Sequence, residues 1–296
     1  SSFGFYTHFN DDHISLSLVV ADLSDTLSTM LSPLLDSGRD ELSDQMNLEP
    51  LIIGRISLSI EDLWQTAVNY DPSIEAIATS ALSVLGVDFE DDILNNLTGD
   101  TSFLIASERA PDGLPAAVVH TRINREAPLE SLLQTACPML LTHLGFANFE
   151  GDGAIACESE MGSFGIASSH LIASNNSAIV RGDLSSGALS DSLPQKAWGE
   201  QRRGAPVSLF VDVKGTLDLL SSGTLTESAF SSQIPSPLLI QPDIRLESIP
   251  VEAVGLSMGV TGSVMEITGH IYPAEGSFTG WIGGGLELLL SPTTVT

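Results

Sequence analysis

The sequence predicts an α+β protein of curved, mainly antiparallel β-sheets with helices packed on one face. Short apolar segments that alternate with polar residues occur in pairs separated by turn residues, a pattern typical of β-hairpins. Leucine-bearing helical segments also follow strands repeatedly, and helices after strands favour a parallel sheet. The hairpins nevertheless require antiparallel neighbours, and we therefore predict mainly antiparallel sheets. The strand-to-helix pattern recurs at Ile14–Leu35, Ile52–Val68, Ala117–Leu144 and Val207–Leu220.

The pattern recurs on both sides of residue 150, which predicts two similar halves, 1–150 and 151–296. In the first half, alternation predicts a hairpin of two strands, and leucines at helical spacing predict a following helix. The elements predicted as far as residue 85 are strands at Phe3–Phe9, Ile14–Val20 and Pro50–Ile60, and helices from Asp22 or Ser24 to Leu35, from Glu61 to Val68 and at Ser73–Leu85.

The most consistently specified stretch is Leu82–Ser107. Gly86 ends one helix, and Asp88 is placed to cap a second helix that carries Phe89, Ile93 and Leu97. Thr98-Gly99-Asp100 then predicts a turn into an apolar strand. The remaining elements of this half are strands at Thr101–Ala106 and Ala116–Thr121, joined by a turn at Pro111-Asp112-Gly113, and a long helix from Pro128 to Leu144.

The second half, 151–296, is richer in short strands and ends in a β-hairpin and a Gly-rich tail. Its polar segment 183–204, Pro-rich segment 231–242 and Gly-rich segment 274–285 lack apolar periodicity, and coil is expected for most of them. Its predicted elements are strands at Ala154–Cys157, Phe164–Ala167, His170–Ser174, Val207–Val213, Ile244–Ile249, Val254–Val260 and Val264–Tyr272, with a helix near Thr216–Leu220.

The composition is strongly acidic. The 296 residues include 38 Asp and Glu against 11 Lys and Arg, so the net charge is −27. Such a surface repels phosphate backbones and anionic lipid headgroups, and nucleic-acid binding is therefore not expected. Acidity also fits a salt-loving host, but charged residues total only 17%. Few lysines with abundant Ser, Thr and Gly fit an extracytoplasmic protein better.

Two cysteines, Cys137 and Cys157, lie twenty residues apart without a CxxC or zinc-binding spacing. They form either a disulfide between a helix and the next strand, as an oxidising compartment permits, or two separate buried thiols. No run of 18 apolar residues occurs, so a membrane-spanning helix is not predicted. The chain begins without Met, and a signal peptide or lipid anchor would lie upstream of residue 1.

One local motif matches a catalytic signature. Gly255-Leu256-Ser257-Met258-Gly259 fits the GxSxG of a hydrolase nucleophile elbow, which must lie between a strand and a helix. Here the apolar alternation runs straight through the motif, and the sequence after Ser257 contains no Asp. A strand with a chance match is the better interpretation, and no catalytic residue is predicted.

Metal and cofactor sites are not predicted either. Asp88, Glu90, Asp91 and Asp92 lack the spacing of a calcium loop and suit a helix N-terminus. The histidines are scattered, although His8 and His13 could approach each other across the first hairpin. Arg181-Gly182-Asp183 and Gly283-Gly284-Gly285 are read as chance matches to an integrin-binding tripeptide and a phosphate loop. The other four histidines are His120, His143, His170 and His270.

One segment resembles a recurrent element of uncharacterised bacterial envelope proteins, secreted or lipid-anchored. It reads Leu85-Gly86-Val87-Asp88, then Asp92-Ile93-Leu94, Leu97-Thr98-Gly99-Asp100 and Phe103-Leu104-Ile105-Ala106. The resemblance covers about the first two thirds of the chain. It implies an extracytoplasmic location, in the periplasm or at the cell surface, and an α+β fold. It implies no activity, since that group has no catalytic motif.

The functional hypothesis is a non-catalytic, extracytoplasmic protein that binds other envelope proteins as an accessory subunit of an envelope assembly. It needs no cofactor and has no transmembrane segment in this chain. The alternative is a carrier of a lipid or other apolar ligand, because Leu-rich helices over a curved sheet can enclose a cavity.

Overall fold

The structure is a computed structural model that describes residues 2–10, 13–24, 31, 48–83, 86–144, 147–150, 155–159, 162–181, 205–221 and 251–274. These residues form one 12-stranded sheet with helices on it. The strands are β1 (Ser2–Phe9), β2 (Ile14–Ala21), β3 (Pro50–Ser57), β4 (Leu97–Arg109), β5 (Pro115–Ile123), β6 (Ala147–Glu150), β7 (Ile155–Ser159), β8 (Gly162–Ala167), β9 (His170–Ser174), β10 (Val207–Asp212), β11 (Val251–Thr261) and β12 (Val264–Pro273).

The helices are short apart from one. They are α1 (Ile60–Tyr70), α2 (Ser73–Ser83), a π-helix (Phe89–Leu94), α3 (Glu126–Leu144), α4 (Ser177–Val180) and α5 (Val213–Ser221).

The sheet is antiparallel at every neighbouring pair. Its order is β1-β2-β12-β11-β10-β3-β4-β5-β9-β8-β7-β6, which leaves β1 and β6 at the two edges. The α+β class with a large antiparallel sheet is therefore confirmed. Residues 1–150 and 151–296 contribute six strands each, and strands of both ranges alternate within the same sheet. The similarity of the two halves stays a prediction.

The sheet has two faces, which we call inner and outer. Leu104 and its neighbours Ile53 and Val118 lie on the inner face, whereas Phe103, with Val119 opposite it, lies on the outer face. The inner face carries the larger core, which includes residues of β3, β4, β5, β9, β10, β11 and β12.

Helices packed on one face are not confirmed. On α4, Ile179 and Val180 join the inner core. On α3, Leu129 and Cys137 pack instead with Cys157 of β7, and the strand register puts Cys157 on the outer face. The two helices therefore cover opposite faces, because the apolar stripe of each one meets a different side of the same strands.

The predicted turn at Thr98-Gly99-Asp100 is wrong. These residues lie inside β4, where the register shifts between Leu97 and Thr101. Gly99 has φ +79°, and a Cβ there would lie 1.7 Å from the carbonyl oxygen of Leu58. A glycine therefore makes a bulge within one long strand, since no other residue combines that backbone conformation with so close an approach.

Helix starts were predicted with small errors. Asp88 does cap the next helix, since its carboxylate accepts from the backbone N–H of Asp91, but that helix is a π-helix. The helix predicted from Pro128 begins at Glu126. Most of the predicted helix ending at Leu35, and the segments 183–204, 231–242, 244–249 and 275–285, lie outside the described residues.

A row of polar side chains crosses the inner face at one level of the ladder. At its centre Arg55 donates from Nε and Nη2 to the two carboxylate oxygens of Asp100, at 2.8 and 3.1 Å. Arg55 is 3% exposed. The row consists of Ser17, Thr268, Ser257, Ser208, Arg55, Ser102 and His120, on seven neighbouring strands.

We expect Asp100→Ala to lower the free energy of unfolding by about 3–5 kcal/mol, since it leaves the guanidinium of Arg55 buried without its carboxylate. Urea denaturation measures the loss. The control is the double variant Arg55→Met/Asp100→Leu, which removes both charges and should cost much less. Equal losses in the two variants would contradict this account.

Cys137 of α3 and Cys157 of β7 are fully buried, with Cα atoms 5.8 Å apart, and the structure joins them as a disulfide. That separation lies within the range a disulfide spans. The bond would tie the outer-face helix to the short strands at the β6 end of the sheet.

If the bond forms in the native protein, its intact mass is two hydrogens below the reduced mass. Reduction should then lower the free energy of unfolding by about 3 kcal/mol, as expected for a closed loop of this size. The double variant Cys137→Ser/Cys157→Ser should not respond to reductant. Two titratable thiols in the denatured, unreduced protein would disprove the bond.

Candidate functional site

The edge strand β1 exposes several aromatic side chains. Phe3 is 75% exposed, Phe5 73%, Tyr6 63% and Phe9 58%. The rings of Phe3 and Phe5 meet edge to face, with centroids 6.0 Å apart. The Tyr6 ring lies over Gly4 on the other side of the strand, so that a Cβ at Gly4 would be 3.3 Å from its hydroxyl. We call Ser2–Phe9 the docking edge.

The docking edge lacks the features that normally protect an edge strand. Natural edges carry charges, proline or bulges, or are very short. Ser2–Phe9 contains no Asp, Glu, Lys, Arg or Pro, and it pairs with β2 through eight consecutive residues without a register shift. The opposite edge differs, since β6 has four residues and ends in Glu150.

The apolar surface continues from the edge across the outer face. The register places Leu16, Leu256, Phe103 and Val119 at one level of the sheet, on β2, β11, β4 and β5. Each of these side chains is between 40% and 49% exposed. Gly269 lies between Leu16 and Leu256 at this level, and Leu209 and Gly54 lie between Leu256 and Phe103. Isolated apolar residues at a surface need no explanation, whereas a large exposed apolar patch is typical of a binding surface.

A buried histidine cluster lies beside the edge, where β2 meets β12. Ser15 Oγ and His270 Nδ1 share a hydrogen bond of 3.1 Å, and Asn10 Nδ2 donates to His13 Nε2 at 2.8 Å. The His13 ring lies 5.7 Å from that of His270 and 5.4 Å from that of Tyr272. His13, His270 and Tyr272 are all buried.

The surroundings of His270 favour its uncharged form. Burial, and to a smaller extent the charge of neighbouring His13, lower the pKa of His270 to about 4. A serine–histidine pair also requires an oriented carboxylate and an oxyanion site to act as a nucleophile. Because its three rings are buried, we interpret the cluster as packing that fixes β2 against β12.

Carboxylates with raised pKa values occur at the start of α5. Burial is the main cause that raises the pKa of Asp212, and the N–H of Gly215 opposes it by donating to Oδ1 at 2.8 Å. This bond is an N-terminal cap of α5. Burial, with Asp212 nearby, also raises the pKa of Glu252. Helix capping accounts for Asp212 without a chemical role.

A cavity of about 470 Å³ lies between α1, α2 and the π-helix. Trp64 and Phe89 lie in its lining, with ring centroids 4.4 Å apart. Glu61, Glu75 and Glu90 also line it, so its chemistry does not match an apolar ligand.

The residues singled out in the sequence do not converge. Ser257 lies in the middle of β11, opposite Ser208 and Thr268, which confirms the strand and places no helix after the serine. His8 lies opposite Ser15 across the first hairpin, whereas His13 faces His270.

Of the tripeptide 181–183 only Arg181 is described, ion-paired with Glu158, and residues 283–285 lie outside the described part. Within the described ranges, no group of three His, Cys, Asp or Glu side chains could hold a metal ion. In the same ranges, no helix combines the length and apolarity needed to cross a bilayer.

The docking edge was missed as a site because its alternation was interpreted only as a hairpin. The available signal was charge. In a chain of net charge −27, the strands β1 and β2 contain no Asp, Glu, Lys or Arg. At an edge of the described sheet, strands without these charges are unusual in so acidic a protein.

Comparison with known proteins adds little. No protein-family model matches the chain, and no curated protein sequence matches it. Among solved structures, "Structure of crystal form I of TP0453" resembles it with a TM-score of 0.38 and 11% sequence identity, over 87% of this chain and 85% of that chain. A similarity this low supports no conclusion about function.

The pKa of His270 predicts a pH dependence. Since the folded ring takes up a proton only near pH 4, the unfolded chain, with a pKa near 6.5, binds it first as the pH falls. His270 should therefore lower the free energy of unfolding progressively from about pH 6.5 to about pH 4.

Urea denaturation at pH 7, 5 and 4 measures this effect. His270→Asn should lose less stability than the wild type over that interval, whereas His8→Asn, at an exposed position, should follow the wild type. Parallel curves for the wild type and His270→Asn would show that the ring protonates without cost in the folded protein.

Proposed function

We propose that this protein is a non-catalytic binding subunit of an extracytoplasmic envelope assembly, which docks a protein partner on the edge strand β1. The observation that carries the proposal is the exposure of Phe3, Phe5 and Tyr6 on a regular edge strand without charge or proline. A strand edge of this kind binds by β-strand addition, in which backbone hydrogen bonds supply affinity and alternate side chains supply specificity.

The proposed extracytoplasmic location is supported by two features. The buried Cys137 and Cys157 lie at bonding separation, and structural disulfides persist in oxidising compartments. The acidic, lysine-poor composition also favours an extracytoplasmic location.

A second candidate function is the binding of an apolar ligand such as an acyl chain. The row Leu16, Leu256, Phe103 and Val119 favours it, because it extends an exposed apolar path across the outer face. The measurement below separates the two functions.

The test is native mass spectrometry of the protein purified from the cells that make it. The wild type should carry a protein partner, and Phe5→Lys should lose it, since a charge on the edge strand opposes strand addition. Tyr70→Lys is the matched control, because Tyr70 is a 92% exposed aromatic residue on α1, away from the docking edge. It should keep the partner.

The same mass spectra also distinguish the two candidate functions. An added mass of a few hundred daltons that is lost on denaturation supports the apolar ligand instead. A protein partner that remains on Phe5→Lys removes the docking edge from the proposal.

A further inference from the structure

We propose that the partner on the docking edge is a second copy of this chain, paired antiparallel through β1 about a two-fold axis at Tyr6. This inference rests on the proposed function and names the occupant of the same site. The pairing would join two 12-stranded sheets into one continuous sheet.

Charge favours a second copy over an oppositely charged partner. Complementary charges give many hetero-complexes their specificity and their association rate, but the docking edge contains no Asp, Glu, Lys or Arg to complement. An edge that fits it is itself uncharged and aromatic. The β1 strand of another copy meets that description, and the rest of the surface, at net charge −27 per chain, opposes any other contact between copies.

Backbone geometry fixes the register to a few choices. In an antiparallel pair the hydrogen-bonded residues face each other with both their N–H and C=O groups, and such residues alternate along a strand. Along β1, the residues whose N–H and C=O groups point away from β2 are therefore either all even-numbered or all odd-numbered. Two copies can pair only with residues of equal parity opposite each other, which keeps the inner faces together and the outer faces together.

Among the registers that pair seven residues of each β1 strand, the one centred on Tyr6 gives the better side-chain pairs. It sets Phe3 of each copy opposite Phe9 of the other, and Tyr6 opposite its own counterpart. The register centred on Phe5 makes only one aromatic pair and sets Ser2 opposite His8. Directly opposed aromatic pairs contribute roughly 0.2–1 kcal/mol each, so the Tyr6 register is favoured.

The size of the contact is sufficient for a dimer. A fully covered aromatic side chain buries about 150–250 Å², so four that are about two thirds exposed supply roughly 500 Å² per copy. The backbone edge of β1 adds to this area, and a typical stable interface needs about 800 Å² per partner. The dimer therefore lies at the lower end of stable interfaces, and its dissociation should be measurable by dilution.

Sedimentation velocity of the full chain tests the dimer over a dilution series at low and high salt. The wild type should be dimeric at the higher concentrations, and Phe5→Lys monomeric. Dimerisation should strengthen at 1 M salt, because the screening length falls from about 10 Å at 0.1 M to about 3 Å and the repulsion between two acidic copies is reduced. A complex held by opposite charges would weaken instead.

Disulfide trapping tests the register independently of Phe5→Lys. Tyr6→Cys should form a covalent dimer on oxidation, because its Cβ atom would lie about 4.5–5.5 Å from that of its counterpart. His8→Cys is the control on the same strand and face. Its counterpart would be displaced by four residues, or about 13 Å along the strand, and should not cross-link.

The outcomes distinguish the symmetric dimer from the more general proposal that the docking edge binds a protein partner. A wild type that stays monomeric at every concentration and salt, or a His8→Cys variant that cross-links as readily as Tyr6→Cys, overturns the symmetric dimer. If such a monomer still carries another protein that Phe5→Lys releases, the docking edge stands and only its occupant is wrong. If neither assembly nor partner responds to Phe5→Lys, both proposals fall.

Discussion

The buried ion pair between Arg55 and Asp100 is the constraint on which the centre of this sheet depends. The two residues lie on β3 and β4, next to the Gly99 bulge that brings β4 against Leu58. A guanidinium with so little exposure is tolerable only with its carboxylate in place. Because a shift of one residue would turn Arg55 to the outer face, the pair fixes the register of the two strands from which the sheet extends in both directions.

The rest of the polar row on the inner face follows from the same register. Ser208, Ser102 and His120 come level with Arg55 only when β10, β3, β4 and β5 pair as they do. Buried polar groups of this kind must find partners, which makes slipped pairings costly. At the β2–β12 junction, the contact of Ser15 with His270 extends this logic to the second and third strands of the sheet.

An open sheet of this size has two edges, and the chain treats them differently. The β6 edge is four residues long and tied to α3 through the strands beside it. The β1 edge is regular, aromatic and without Asp, Glu, Lys or Arg, in a protein whose net charge is −27. Net charge keeps such molecules apart in general, and the proposed association is therefore assigned to this uncharged edge.

The sequence by itself determined the local structure of this protein. Alternation identified the hairpins and most strands, Asp88 identified a helix start, and hairpin pairing identified an antiparallel α+β sheet, because these features depend on neighbours in the chain. Only the tertiary structure decided the strand order, the bulge at Gly99, the placement of Ser257 within a polar row and the exposure of Phe3 and Phe5. Those depend on which distant strands pair and which strand is left at an edge, and periodicity along one chain contains no information about either.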